Sequence, residues 1–474
     1  MWEGEICMKN KWLIALAAVG IHICIGSVYA WSVLTRPIME SMGFTLKEVT
    51  WAFSIAILFL GLSAGFLGDF VERHGPRRSG LAAAAFFGTG MVGSGLALHL
   101  HSLPLLYLFY GVIGGIGLGV GYITPVSTLV KWFPGHRGFA TGLAIMGFGF
   151  ASLVAGPVMQ RLVAALGLVP NFVLLGIVYF VVICASALYL APPRPGDVPA
   201  EGPVARTFSG EELEGGAGKA GNNGMAPEKG MSLKGGAPEA SVIRTVKEVA
   251  EEVAEEVERH PDMERRILGH HAFTAREALG TWYFYALWWI FFINITCGIA
   301  LLAVASPMAQ EVVGMTPAAA ASMVGIIGLV NGFGRIFWST VSDYLGRRNV
   351  YVLFFLLEIG AFYALATVGA PLAFQLLVLL IISCYGGGFS CMPAYLSDLF
   401  GTRELSAIHG KILTAWGLAG IVGPLLLSLI YENTHSYSLT LYFFSGCFVV
   451  NLAVALVLKW KTAVSAAPAL QETR

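Results

Sequence analysis

Arg335 stands in a stretch, Ala318 to Val341, that is otherwise apolar, small or neutral. A guanidinium stays charged at any physiological pH, so at membrane depth it is placed to meet an anion. It lies eight residues before Asp343, roughly 12 Å along a helix, near the middle of a hydrocarbon core about 30 Å thick. Further groups with chemical capacity fall in other apolar runs: the phenols Tyr29, Tyr122 and Tyr385, the aromatic side chains Phe389 and Trp416, and the titratable His22 and Glu358. Phenol hydroxyls suit a carboxylate or a 2-hydroxyl, and Phe389 and Trp416 suit the apolar wall of a small-ligand site. His22, eleven residues from Lys11, suits a proton relay, a structural hydrogen bond or a substrate contact. Glu358 could carry a proton or be a locally hydrogen-bonded carboxyl.

Such residues need helices to hold them at depth, and the composition supplies them. Of 474 residues 56% are hydrophobic and 12% charged, and the mean hydropathy is +0.72. That charged share is half the roughly 25% of soluble domains, so the lipid bilayer is the expected surrounding. A net charge of zero excludes the basic surplus of a nucleic-acid binder. The seven cysteines show no spacing typical of a metal site or disulfide framework. No cofactor, no metal and no catalytic nucleophile–base pair is expected, which argues against an enzyme.

Apolar runs of spanning length fall at about 12–35, 45–68, 79–98, 103–130, 137–166 and 168–191, then at about 279–305, 316–341, 350–369, 372–398, 406–431 and 438–459. The expected fold is an all-α membrane protein of twelve spans in two six-helix bundles, residues 1–191 and 277–474. The polar, Gly- and Pro-rich residues 192–276 form a linker. Within it Val242, Val246, Val249, Val253 and Val257 predict an amphipathic helix over about 241–259. Landmarks recur across the linker at offsets of 267 to 274 residues: Pro37 with Pro307, Gly43 with Gly314, Asp69 with Asp343, and Gly156-Pro157 with Gly423-Pro424. Repeats six spans apart cross in the same direction, so the halves are parallel copies with a site at their interface near the midplane. Lys and Arg near the span ends crowd one side and predict that both termini are cytoplasmic, in a plasma (inner) membrane.

Two basic turns follow spans two and eight: Asp69, Arg73, Gly75, Pro76, Arg77, Arg78 and Asp343-Tyr344-Leu345-Gly346-Arg347-Arg348. They resemble the cytoplasmic loop signature of the major facilitator superfamily, with three extra residues between Asp and Gly in the first copy. Their carboxylates and guanidiniums could latch the halves together reversibly. Gly26-Ser27-Val28-Tyr29-Ala30-Trp31-Ser32-Val33 and Lys131-Trp132-Phe133-Pro134-Gly135-His136-Arg137-Gly138 resemble the oxalate/formate antiporter family, close to the monocarboxylate transporters.

The resemblance implies a carrier of small carboxylate anions working by alternating access, functional as a monomer, with Arg335 as anion ligand and Tyr29, Tyr122 and Tyr385 on cavity-lining helices. Where many monocarboxylate transporters carry an aspartate one turn before that arginine, this chain has Asn331. Where oxalate exchange uses a lysine in span eleven, Trp416 stands. One fixed cation offsets one carboxylate, which favours lactate-, pyruvate- or formate-type monoanions. Proton symport or anion exchange both remain open, as do a dicarboxylate antiporter and a non-transporting carboxylate sensor.

Overall fold

The structure, a computed structural model, describes residues 9–194, 197 and 272–464. The amphipathic segment expected near 241–259 lies outside them. Eleven helices among the described residues are long and apolar enough to cross a membrane. The longest, Glu48–His99, has 52 residues, about 78 Å of helix at 1.5 Å per residue and far more than one crossing requires. Gly75 breaks it, with φ 74° and ψ 170°, a region that side chains beyond glycine avoid. Gly115 packs on Ala56 and Phe59, whereas its near neighbour Gly117 packs on Phe87. The segments before and after Gly75 therefore lie side by side at one depth, and the chain folds back between them. Twelve crossings result, as the hydropathy pattern predicted.

The first crossing combines α1 (Lys11–Gly26), a 3-10 turn at Ser27–Ala30 and α2 (Trp31–Met42). Then follow α3 (residues 46–74) and α4 (residues 76–99), α5 (Gly115–Trp132, entered through a π-helical segment Tyr107–Gly114), α6 (Arg137–Leu166) and α7 (Leu168–Tyr189). The second half follows the linker. Phe273 N–H donates to Phe400, and the short α8 (Ala275–Leu279) is fixed by a capping box between Thr274 and Glu277. It continues with α9 (Trp282–Val313), α10 (Pro317–Leu345), α11 (Arg347–Leu365), α12 (Pro371–Phe400), α13 (Leu405–Thr434) and α14 (Ser438–Val464).

The repeat is legible in backbone geometry. Gly43 and Gly314, and likewise Gly75 and Gly346, have positive φ and stand 271 residues apart. Thr45 and Thr316, also 271 apart, both cap the helix that follows. In that register Asp343 corresponds to Glu72 rather than to Asp69, which explains the three apparently extra residues in the first basic turn.

Two seams join the halves. Gly61, Gly65 and Gly68 of α3 meet Gly417, Thr414 and Ala407 of α13, while Gly138, Gly142 and Gly149 of α6 meet Ser339, Ile336 and Gly332 of α10. A methyl added at Gly61 would come within 2.8 Å of the Gly417 Cα, and one at Gly149 within 2.8 Å of the Gly332 Cα. Lipid tails are as apolar as leucine, so helices in a bilayer adhere by such close backbone approach rather than by hydrophobic burial. The contacts concentrate toward the end of the bundle that carries Gly75 and Gly346, called below the latched end.

Candidate functional site

Arg335 is fully buried on α10. Its Nε donates to Asn331 Oδ1 at 3.2 Å, a pairing set by the four-residue spacing on one helix face. The guanidinium carbon lies 5.0 Å from the ring centroid of Phe389, a stacking that steadies the cation without neutralising it. Both terminal nitrogens, Nη1 and Nη2, lack a hydrogen-bond partner. A buried cation left so costs several kcal/mol unless another group meets it.

The groups around it are also unspent. Tyr29 in the 3-10 turn and Tyr122 on α5 lie close to the guanidinium, and Tyr29 lies close to Tyr385 on α12. The three phenol hydroxyls are buried without a hydrogen-bond partner, as is Trp416 Nε1 on α13. Trp416 packs edge-on against Phe389 at 4.8 Å, Tyr122 at 5.2 Å and Phe148 at 5.7 Å, and Tyr29 stands 6.5 Å away. Helices from both halves thus bring an aromatic box to one charged nitrogen pair, each ring carrying an open donor or none. Such an arrangement offers several hydrogen-bond donors and an apolar wall to a small ligand.

The other titratable candidates are placed differently. His22 sets Nδ1 2.6 Å from the Ala144 carbonyl and Nε2 3.2 Å from the Tyr122 carbonyl, tying α1 to α6 and α5 beside the site. Glu358 is buried within the second half, where Asn294 Nδ2 donates to both of its oxygens at 3.3 Å; none of these contacts reaches Arg335. His409, overlooked in the sequence because it falls only a turn inside α13, is 1% exposed, has both ring nitrogens unpartnered and faces Tyr122 at 6.0 Å.

At the latched end the basic turns differ from the sequence expectation. Asp343 accepts from the Gly138 and Phe139 N–H groups at 2.9 and 2.8 Å, capping α6 of the opposite half, and also pairs with Arg347. Arg347 Nε reaches Asp398 at 3.2 Å, and Arg137 Nη1 reaches the same carboxylate at 3.4 Å across the seam. In the first copy it is Glu72 that faces the start of α13, accepting from Ser406 N–H at 3.3 Å, with Lys131 on its other oxygen at 2.5 Å. Asp69 takes Lys411 at 3.3 Å instead. Arg73 and Arg78 are exposed, and Arg77 donates to the Leu188 carbonyl of its own half. Arg348 donates to Thr462 on α14. Arg347 and Arg137, from opposite halves, thus share Asp398, whereas Arg77 bonds within its own half; Pro76 occupies the position matching Arg347.

A family model described as Major Facilitator Superfamily matches residues 15–339 and 287–473. The chain is 25% identical over 432 residues to the oxalate:formate antiporter of Oxalobacter formigenes, covering 90% of this chain and 86% of that protein. It is 24% identical over 498 residues to the apicoplast pyruvate carrier 1 of Toxoplasma gondii, covering 85% and 81%. Among solved structures it superimposes on the transporter FucP in its outward conformation with a TM-score of 0.62 at 12% identity, covering 94% of this chain and 98% of that one.

Proposed function

Because the chain belongs to the Major Facilitator Superfamily and is a transporter, we propose that it carries small carboxylate anions through the central site, with Arg335 as the anion ligand. The observation that carries this reading is the pair of unpartnered, fully buried Arg335 nitrogens beside three unpartnered phenols. A carboxylate takes both nitrogens in a planar, two-point contact and leaves the phenols for a hydroxyl or keto oxygen. The names of the relatives, an oxalate:formate antiporter and a pyruvate carrier, support the carboxylate class.

The charge count favours a monoanion. Trp416 fills the span-eleven position beside the site, and Lys411 is engaged with Asp69 at the latched end. A dianion would bring one charge that Arg335 cannot offset, at a cost of several kcal/mol in a low-dielectric chamber. Asn331 holds the guanidinium in line without competing for it, as an aspartate would.

Transport proceeds by rocking the halves about the site. The Asp343–Arg347–Asp398–Arg137 cluster and the Glu72–Ser406 contact close one end, and their rupture opens it. By its excess of Lys and Arg the latched end is the cytoplasmic one, in a plasma (inner) membrane. Asp69, Arg73, Arg77, Arg78 and Arg348 contribute positive-side anchoring and secondary gate contacts. The proposed working unit is the monomer. Proton symport through His22, or through Glu358, and direct anion exchange each fit this arrangement. Uptake of labelled lactate that ignores an imposed pH gradient but rises with internal anion identifies exchange.

The direct test is a thermal-shift screen of lactate, pyruvate, formate and oxalate on the purified protein and on Arg335→Gln. Monocarboxylates are expected to raise the Tm of the unaltered protein alone. Stabilisation by oxalate in preference to the monoanions overturns the monoanion assignment and supports a dicarboxylate exchanger. Equal stabilisation of Arg335→Gln overturns the role of Arg335.

A further inference from the structure

The two seams are related by the repeat, and one polar position on them is unequal. Residues of α6 and α13 correspond at an offset of 268, as Gly142 with Gly410 and Gly149 with Gly417 show, and residues of α5 and α12 share that offset, as Pro125 with Pro393 shows. Thr141 therefore corresponds to His409, and Ser390 to Tyr122. On the α6–α10 side Thr141 Oγ1 donates to the Ser390 carbonyl at 2.6 Å and closes the gap between halves. On the other side His409 and Tyr122 face each other across 6.0 Å between ring centroids with no bond between them. Both His409 nitrogens and the Tyr122 hydroxyl are buried and unpartnered. Leaving such groups unmet costs about 1–3 kcal/mol each, a cost relieved when a polar partner reaches them in another state of the protein.

Position says what enters. His409 lies seven residues before Trp416 on one face of α13 and four after Leu405, where that helix begins at the latched end. Tyr122 reaches both ways, toward Arg335 with its hydroxyl and toward His409 with its ring. Among the described residues the titratable groups facing His409 are Tyr122 and His22. An imidazole N–H and a phenol O–H with no acidic neighbour suit an anion rather than a cation.

We propose that His409 and Tyr122 form a second station for the transported carboxylate, on the latched side of Arg335. As the latch opens, the carboxylate leaves the two Arg335 nitrogens, is held by the Tyr122 hydroxyl and one His409 N–H, and passes to water; entry from that side runs in reverse. The other ring nitrogen is met by water admitted with the anion. The station lowers the step between a tightly held anion and bulk solvent on one side of the membrane. This rests on the reading of Arg335 as the anion ligand.

The test compares labelled lactate uptake in right-side-out and inside-out membrane vesicles carrying the unaltered protein, His409→Phe and His409→Gln. His409→Phe keeps the ring and removes both nitrogens; His409→Gln keeps an N–H donor. His409→Phe is expected to raise KM at one membrane face about tenfold, as for one lost hydrogen bond to a charged group, and to change the other by less than about twofold. His409→Gln is expected to restore most of the loss. Equal changes at both faces, no change at either, or an effect confined to pH-gradient coupling overturns the proposal. Where His409→Phe fails to reach the membrane, His409→Leu serves, with the same one-sided KM expected and the same outcomes decisive. A thermal shift by lactate that survives Arg335→Gln removes the underlying reading; a shift lost there together with two-sided or absent KM effects in His409→Phe removes the second station alone.

Discussion

The seam of α6 with α10 and the seam of α3 with α13 use one steric plan and opposite electrostatics. Both bring glycines at matching repeat positions into backbone contact, and both set a carboxylate at the first N–H groups of the facing helix. In the α6–α10 seam that carboxylate, Asp343, receives two N–H groups and an arginine, and a second carboxylate, Asp398, joins arginines from both halves. In the α3–α13 seam Glu72 receives one longer N–H contact and a lysine of its own half, beside a cavity of about 110 Å³ lined by Gly75, Lys131 and Ser406. At the depth of the site the contrast repeats, because the residue matching Arg335 is Ala64, whose carbonyl lies against Gly410. Duplication supplied a frame with two equal hinges. Charge is concentrated on one of them.

The largest effect expected from breaking this asymmetry is that of Arg335→Gln. Loss of one partner of a buried charge pair costs about 2–5 kcal/mol, so monocarboxylate affinity should fall by at least about thirtyfold in equilibrium binding. Next, Asp343→Asn should lower stability by about 2 kcal/mol, because it leaves Arg347 under-paired while an amide oxygen still caps α6. Glu72→Gln should lower it by about 1 kcal/mol or less. Thermal unfolding in detergent reads both, and equal losses would dissolve the distinction between the seams. Asn331→Asp should weaken lactate binding at neutral pH about tenfold, since an internal carboxylate competes for the guanidinium. Acidification should restore binding as the new carboxyl takes a proton; an affinity unchanged from neutral to acid would show that Asn331 does not face the bound anion. The smallest effect belongs to Lys411→Ala, which removes a half-exposed pair with Asp69 and should change stability by no more than about 0.5 kcal/mol.

Much of this was legible in the residues alone. Span lengths, the parallel repeat and the depth of Arg335 follow from hydropathy and from helix rise, which a bilayer constrains tightly. The convergence of Tyr29, Tyr122, Tyr385, Phe389 and Trp416 was anticipated through the helices that carry them, although a linear pattern cannot say whether a tyrosine packs inward or toward lipid. The first basic turn was misaligned because Asp69 matches Asp343 in residue type, whereas the matching geometry belongs to Glu72, three residues before a glycine with positive φ in both copies. His409 escaped notice because a histidine a turn inside a helix looks interfacial, and the tilt and crossing of α13 that bury it depend on Gly61, Gly410 and Gly417 in three dimensions. Arg347 and Arg137 were visible as side-determining charges, but their shared carboxylate, Asp398, lies on a third helix and only folding brings the three together.

Ala64 opposite Arg335 has an electrical corollary. An unoccupied carrier moves a lone positive charge through part of the transmembrane field when its halves swing, while the complex with a monoanion moves none. A full crossing of one charge is worth about 2.3 kcal/mol per 100 mV. In the proposed carriage of a monoanion without a proton, membrane voltage would act on the return stroke and leave the loaded stroke untouched.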